Sequence, residues 1–253
     1  AGLGAWTQIN VAGMGDSTRV YAVRRSGALI VAGTQNQGLF RSTDNGVNWQ
    51  QVPQYTTAYV RDLWLAASGG QTALAATAGN GLLRSTNGGA NWVVVGANIN
   101  STLFYALASA GNALYLGTAD RGVWRSTDNG ATWTATGAIS SPGAVSLAAA
   151  TAQEVYAGSV NNGLFKTSNG GGSWQQVSFS GKTVRALAAD PRDTQVVWAS
   201  VLNDGVYRSA NGGQSWQPAN SGFGSASVLS LLVSNASGRW QVLAGTLGRG
   251  GMR

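Results

Sequence analysis

Few residues of this chain carry side chains suited to catalysis or ligation, and their types narrow the chemistry at once. The carboxylates are Asp16, Asp44, Asp62, Asp120, Asp128, Glu154, Asp190, Asp193 and Asp204, and the chain has no histidine and no cysteine. The lack of histidine removes the commonest general base and metal ligand and forbids a Ser-His-Asp triad. The lack of cysteine removes disulfides, thiolate metal sites and thiol nucleophiles. Acid–base work would fall to paired carboxylates, as in glycoside hydrolysis. Asp44 and Asp128, however, stand inside a string that recurs as RSTDNGVNW (41–49), RSTNGGANW (84–92), RSTDNGATW (125–133), KTSNGGGSW (166–174) and RSANGGQSW (208–216). Three copies place Asn87, Asn169 and Asn211 where the others place Asp. A catalytic carboxylate would not be exchanged so freely, whereas either side chain can fix a turn. Outside the strings, Asp190 and Asp193 in ADPRDTQ read as loop solvation. Asp62 reads as half of a buried ion pair with Arg61 or Arg185. Glu154 opens a second strand.

The elements that position these residues follow from the spacing. Trp49, Trp92, Trp133, Trp174 and Trp216 lie 41 to 43 residues apart. A period in that range with strand-like content points to propeller blades. Each unit begins with a short apolar run such as FYAL (104–107) or VRAL (184–187). A second run ends in a small residue, as in ALYLG (113–117) and EVYAG (154–158). Gly, two apolar residues and a base follow, as in GLFR and GVWR. The nine-residue string then turns the chain into a fourth strand. Four strands of four to six residues per unit imply one four-stranded antiparallel sheet, which buries both faces only by stacking on its neighbours. Trp6 precedes TQI much as Trp49 precedes QQV, and the last unit stops where its string would begin. The expected fold is an all-β, six-bladed β-propeller in a single domain, residues 1–253. Its blades are expected near 13–53, 54–96, 97–137, 138–178, 179–220, and 221–253 joined by 1–12. The N-terminal strand would close the ring, pairing an otherwise bare edge.

The string resembles the Asp-box, or BNR, repeat, S-x-D-x-G-x-T-W, and the copy Ser126-Thr-Asp128-Asn-Gly130-Ala-Thr132-Trp133 matches it best. The resemblance covers essentially the whole chain. It implies a hairpin turn held by Asp or Asn, a glycine at the positive-φ position and a tryptophan laid back across the hairpin. The structural set is therefore Asp44, Trp49, Asn87, Trp92, Asp128, Trp133, Asn169, Trp174, Asn211 and Trp216. Asp-box propellers include sialidases, xyloglucanases, the sortilin ectodomain and the photosystem II assembly factor. The local grammar is most similar to the last group, although that factor has seven blades. The sialidase pattern fails here: no Phe-Arg-Ile-Pro signature occurs, and Glu154 is the only Glu. The xyloglucanase pattern requires a cleft between two propellers. The resemblance thus implies no catalytic residue, no cofactor and no metal site.

By analogy with propellers, one face gathers the fourth-to-first and second-to-third loops, opposite the strings. The position before the small residue of each first strand holds Tyr21, Arg61, Tyr105, Val145, Arg185 and Leu229. The second-to-third loops add Asn36, Gln37, Asn80, Asp120, Arg121, Asn161, Asn162, Asn203, Asp204 and Arg249. These side chains would suit a peptide or a glycan, or would plug the channel and shape turns. The net charge of +7 suggests nucleic acid at first. Six of the sixteen basic residues, however, occupy one repeat position (Arg41, Arg84, Arg125, Lys166, Arg208 and Arg253), and without them the charge is +1. The repeated base either bonds carbonyls of the neighbouring blade or forms a positive ring for an acidic partner. No apolar run is long enough to span a membrane, and AGLGAWTQIN lacks the marks of a signal peptide. The expectation is a non-catalytic binding or scaffold propeller that takes a protein partner through the face opposite the strings, without nucleic acid or membrane insertion. The alternative is a glycan-binding propeller or degenerate sialidase-like or glycosidase-like protein. The family resemblance implies export to the periplasm or the exterior. The sequence leaves the oligomeric state open.

Overall fold

The computed structural model describes residues 11, 14, 15, 18–67, 69, 71–139, 143–221, 227–236, 239–246 and 250–252. They form six antiparallel sheets, each a run of consecutive strands joined by hairpins. The first holds β1 (Val20–Ser26), β2 (Leu29–Thr34), β3 (Leu39–Ser42) and β4 (Gln50–Gln51). The second holds β5 (Tyr59–Leu65), β6 (Ala73–Ala78), β7 (Leu82–Ser85) and β8 (Val93–Val95). The third holds β9 (Phe104–Ala110), β10 (Ala113–Thr118), β11 (Val123–Ser126) and β12 (Thr134–Ala135). The fourth holds β13 (Ser146–Ala149), β14 (Val155–Gly158), β15 (Leu164–Thr167) and β16 (Gln175–Ser178). The fifth holds β17 (Val184–Asp190), β18 (Asp193–Val201), β19 (Gly205–Ser209) and β20 (Gln217–Pro218). The sixth has three described strands, β21 (Val228–Ala236), β22 (Arg239–Thr246) and β23 (Gly250–Met252). Trp6 and Arg253 lie outside the described residues.

The chain divides into two compact units, Ala1–Val93 and Val94–Arg253. In the first, Val31 and Leu39 pack with Val60, Leu63, Ala75, Leu83 and Trp92 between two sheets. In the second, Tyr115, Val123, Ala144, Val155 and Phe165 form one core, and Tyr156, Leu164, Val184, Val197 and Ala199 another. The second strands are the most deeply buried; every residue of Ala113–Thr118 is shielded from solvent. The fourth sheet's second strand packs on the third sheet's core through Val155 and Ala157 and on the fifth sheet's through Tyr156, so it reads as an apolar run rather than an alternation.

The small residue that ends each second strand has a packing cause. A Cβ on Gly33 would stand 2.3 Å from Val60 Cγ1, one on Gly117 2.6 Å from the Ala144 carbonyl oxygen, and one on Gly158 2.6 Å from that of Val184. The following sheet's first strand therefore presses directly on this backbone. In the fifth sheet Ser200 fills the same place and turns the contact into a hydrogen bond, its hydroxyl donating to Val228 O at 2.6 Å.

Candidate functional site

The repeated nine-residue string is a turn whose polar atoms satisfy one another. In the third sheet, Ser126 Oγ donates to Asp128 Oδ1 at 2.7 Å and accepts the amide of Gly130 at 3.0 Å. Asp128 in turn accepts the amide and hydroxyl of Thr132. Asn87 receives Ser85 Oγ at 3.0 Å and the Asn91 amide at 2.9 Å, so the amide side chain does what the carboxylate does. Asn169 and Asn211 accept equivalent bonds from Thr167 and Ser173, and from Ser209 and Ser215. Hydrogen bonds from Asn48, through its backbone first and its side chain next, and from Ser42 hold the Asp44 carboxyl at about 2. At Asp128 desolvation pushes upward, but Thr132 and Ser126 outweigh it and keep the group at about 2. Such carboxylates are fixed acceptors, unsuited to proton transfer near neutrality. Trp49, Trp92, Trp133 and Trp216 each donate Nε1–H to the carbonyl of their own turn glycine, at 3.0 to 3.2 Å. Trp174 departs, donating instead to Thr136 Oγ1 at 3.1 Å.

The turns sit beside the first-to-second hairpins. The amides of Asn45, Gly88, Gly170 and Gly212 donate to Ala28, Gln71, Gln153 and Gln195, at or just before the start of the second strand. The repeated base reaches sideways along this end of the strands. Arg41 Nε donates to Gly88 O at 2.6 Å and Lys166 Nζ to Gly212 O at 2.9 Å, in each case to the turn of the following sheet. Lys166 also pairs with Glu154 at 3.0 Å. Burial lowers its pKa, yet the bonds to Glu154 and the field of Tyr156 leave it raised overall.

At the opposite strand ends, the structure gives the first-strand candidates a shared backbone feature. The ladder between first and second strands skips one residue between Val20 and Ala22, Val60 and Asp62, Phe104 and Ala106, Val184 and Ala186, and Val228 and Ser230. The skipped residues are Tyr21, Arg61, Tyr105, Arg185 and Leu229. Each is the extra residue of a β-bulge, a device that re-aims a side chain and recurs beside functional sites. Tyr21 and Leu229 are each 40% exposed. In the first unit the Arg61 guanidinium lies 4.1 Å from the ring centre of Tyr59 and 5.7 Å from that of Tyr21, whose rings are 5.3 Å apart. This aromatic–cation cluster includes Tyr59, which sequence reasoning missed; its place before Val60 in the first run was the available signal.

The second-to-third loop candidates divide by exposure. Asn36, Asn80, Asp120, Arg121, Asn161 and Asn203 are exposed, while Asp204 is half-buried. Several are tied to the adjoining fourth-to-first loops. Asn161 Oδ1 accepts from Thr183 Oγ1, Asp120 accepts from Ser101 Oγ, and Arg121 Nε donates to Asn100 O. Lys182, bonded to Asp204 at 2.6 Å, and then the Tyr207 hydroxyl lower the Asp204 pKa. Arg249 lies outside the described residues. At this end of the second unit the structure also exposes Leu103, Val160, Leu202 and Leu229, aliphatic residues that sequence reasoning passed over as strand and turn filler apart from Leu229.

The described carboxylates outside the turns have partners, and Asp16 lies outside the described residues. Asp62 binds Arg24 at 2.7 Å, at a partly exposed site, where the sequence pointed to Arg61 or Arg185. Asp190 is 5% exposed and holds Arg192 through side chain and backbone amide, which lowers its pKa. The turn pairs a buried Asp190 with a half-exposed Arg192 where solvation was expected, because Asp190 accepts the Arg192 amide of the tight reversal from inside. Arg192 in turn covers Trp240, 4.6 Å from the ring centre. Asp193 accepts the Gln195 amide at 2.9 Å. Among the described residues, no group of three or more acidic side chains stands ready to hold a metal.

No family model and no curated protein matches the chain. Solved structures do. The extracellular domain described for a hybrid two-component system of B. thetaiotaomicron superposes with TM-score 0.74 at 19% identity, covering 95% of this chain and 32% of that one. An ancestral GH74 enzyme gives 0.71 at 20% identity, over 98% and 37%. YCF48 from Cyanidioschyzon merolae gives 0.52 at 15% identity, over 98% and 97%. The chain thus spans about a third of the length of the first two, and at these identities the shared property is the β-propeller fold.

Proposed function

We propose that this chain is a non-catalytic recognition propeller that binds a protein through the strand ends opposite the nine-residue turns. The observation that carries the reading is the repeated β-bulge, which places Tyr21, Arg61, Tyr105, Arg185 and Leu229 at one register position in five of the six first strands. Exposed Leu103, Val160 and Leu202 beside Asn161 and Asn203 supply the apolar core and polar rim of a docking face. The carboxylates that might have served a hydrolase are committed to cations or turn amides. The turns themselves are read as Asp-boxes in a structural role. Export fits the extracellular domains among the structural neighbours. Six blades closing into one ring, with residues 5–12 as the outer strand of the sixth, follow from the tryptophan spacing of the sequence.

A glycan ligand is the second reading, favoured by the Tyr21–Tyr59–Arg61 cluster, since two tilted tyrosine rings beside a guanidinium offer a sugar both aromatic faces and hydrogen-bond donors. One experiment separates the two. A photo-crosslinking residue at Leu202, with a control at exposed Val47 beside a turn, should capture one discrete protein from the native source at Leu202 only. Equal capture at both positions, or a glycan-array signal that Tyr21→Ala abolishes, would reject the protein reading.

A further inference from the structure

The seam between the third and fourth sheets has its own bonding. The turns of the third and fifth sheets are closed by their own tryptophans. Here Gly137 N takes the Gly171 carbonyl at 2.6 Å, and Trp174 is drawn to Thr136. The glycines have no slack for another arrangement, since a Cβ on Gly137 would lie 2.4 Å from Gly172 O. Beside this seam a cleft of about 540 Å³ lies open, lined by Arg125, Thr127, Thr132, Thr134, Asn169 and the Gly170–Gly172 backbone.

Arg125 occupies the repeated-base position, yet its buried Nε has no hydrogen-bond acceptor. Arg41 and Lys166, at the same position, both spend themselves on a turn carbonyl. Lys166 lines a similar cleft of about 450 Å³, but there Glu154 neutralises it at 3.0 Å. Register shows why Arg125 has no such neighbour. Tyr156 pairs with Lys166 and Tyr115 with Arg125, so Glu154 corresponds to buried Ala113. A guanidinium whose Nε lacks an acceptor, lining a semi-enclosed site, is suited to a planar oxyanion, which such a group holds through two parallel N–H donors. The flanking Thr127 and Thr134 can serve hydroxyl groups. Asp128, bonded to the lining residues Thr132 and Ser126, adds a negative charge behind them that would repel a multiply charged ligand such as a phosphate dianion more than a single carboxylate.

We infer that the Arg125 cleft is a binding site for a monocarboxylate of sugar-acid size, distinct from the face assigned to protein recognition. The carboxylate would lie on Arg125 and the hydroxyls on the threonines. The test is an amide-shift NMR titration of the whole chain with sodium glucuronate, against glucose and sodium chloride at matched concentration. Saturable shifts are expected at Gly170–Gly172 and Thr132 with glucuronate alone. Arg125→Gln should weaken binding at least tenfold, and Lys166→Gln should leave it unchanged. Arg125→Lys, which keeps the charge without the fork, should fall between them, and it decides the matter should the glutamine variant not fold. Absence of saturable shifts, an equal response to glucose, or unchanged affinity in either Arg125 variant would overturn the inference.

Discussion

At the scale of single residues, the repeated turn is a closed hydrogen-bond circuit, and that circuit explains its composition. The hydroxyl of Ser126 accepts the buried Gly130 amide while donating to Asp128, so serine or threonine is required and alanine would leave a buried N–H orphaned. Oxygen Oδ1 is the working acceptor in both Asp and Asn copies. The carboxylates differ in their titration. Asp44 and Asp128 hold their protons only below about 2 in the folded chain, against an ordinary value of 3.8. Between those limits the unfolded chain binds more protons, so their contribution is complete above about pH 4 and lost as pH falls through about 2. The double variant Asp44→Asn, Asp128→Asn should therefore lose less stability than the parent across that window. Urea midpoints measured at pH 4, 3 and 2 check this; parallel curves for the two proteins would contradict it.

At the scale of elements, the second strand is the meeting point of the fold. Its end must be small because the next sheet's chain, at or just before its first strand, sits on it. The bulge and the small residue are one device: Gly33 pairs with Ala22 just after the Tyr21 bulge, and Gly117 with Ala106 just after that at Tyr105. Gly117→Ala places a methyl 2.6 Å from a backbone oxygen that cannot swing aside. Overpacking of this kind costs roughly 1–3 kcal/mol. The expected result is a lower urea midpoint with an unchanged slope, and a variant as stable as the parent would disprove the close approach.

At the scale of the whole molecule, the sixth sheet shows three described strands where the other five have four. β22 pairs β23, whose outer edge has no described partner strand. An unpaired edge of this kind invites association. If residues 5–12 supply the missing strand, removal of residues 1–12 should lower the melting temperature and promote oligomers, read by calorimetry and light scattering. A truncated chain that stays monomeric and equally stable would rule that strand out. The positive charge belongs to this scale too. Arg41 and Lys166 spend theirs on the turns of following sheets, so the excess of base is in good part an architectural repeat.

How far the sequence spoke depended on whether a property was local and repeated. Sheet number, strand order and the role of the Ser-Asx-Gly-Trp turn were legible, because each copy of the motif closes its hydrogen bonds within a few residues and the period counts the copies. The Lys166 and Arg41 contacts were legible as one of two possibilities, since a base at constant spacing must meet the same neighbour each time. Other features came only from the fold. The bulges at Tyr21 and Arg61 depend on the register between two strands and the pressure of a third. The Asp62–Arg24 pair depends on which side chains two packed sheets bring together. The open Arg125 cleft depends on a single seam in which Gly137 captured a carbonyl. Repetition is written along the chain and can be counted there, whereas departures from it arise from contacts between sheets and are decided only when those sheets pack.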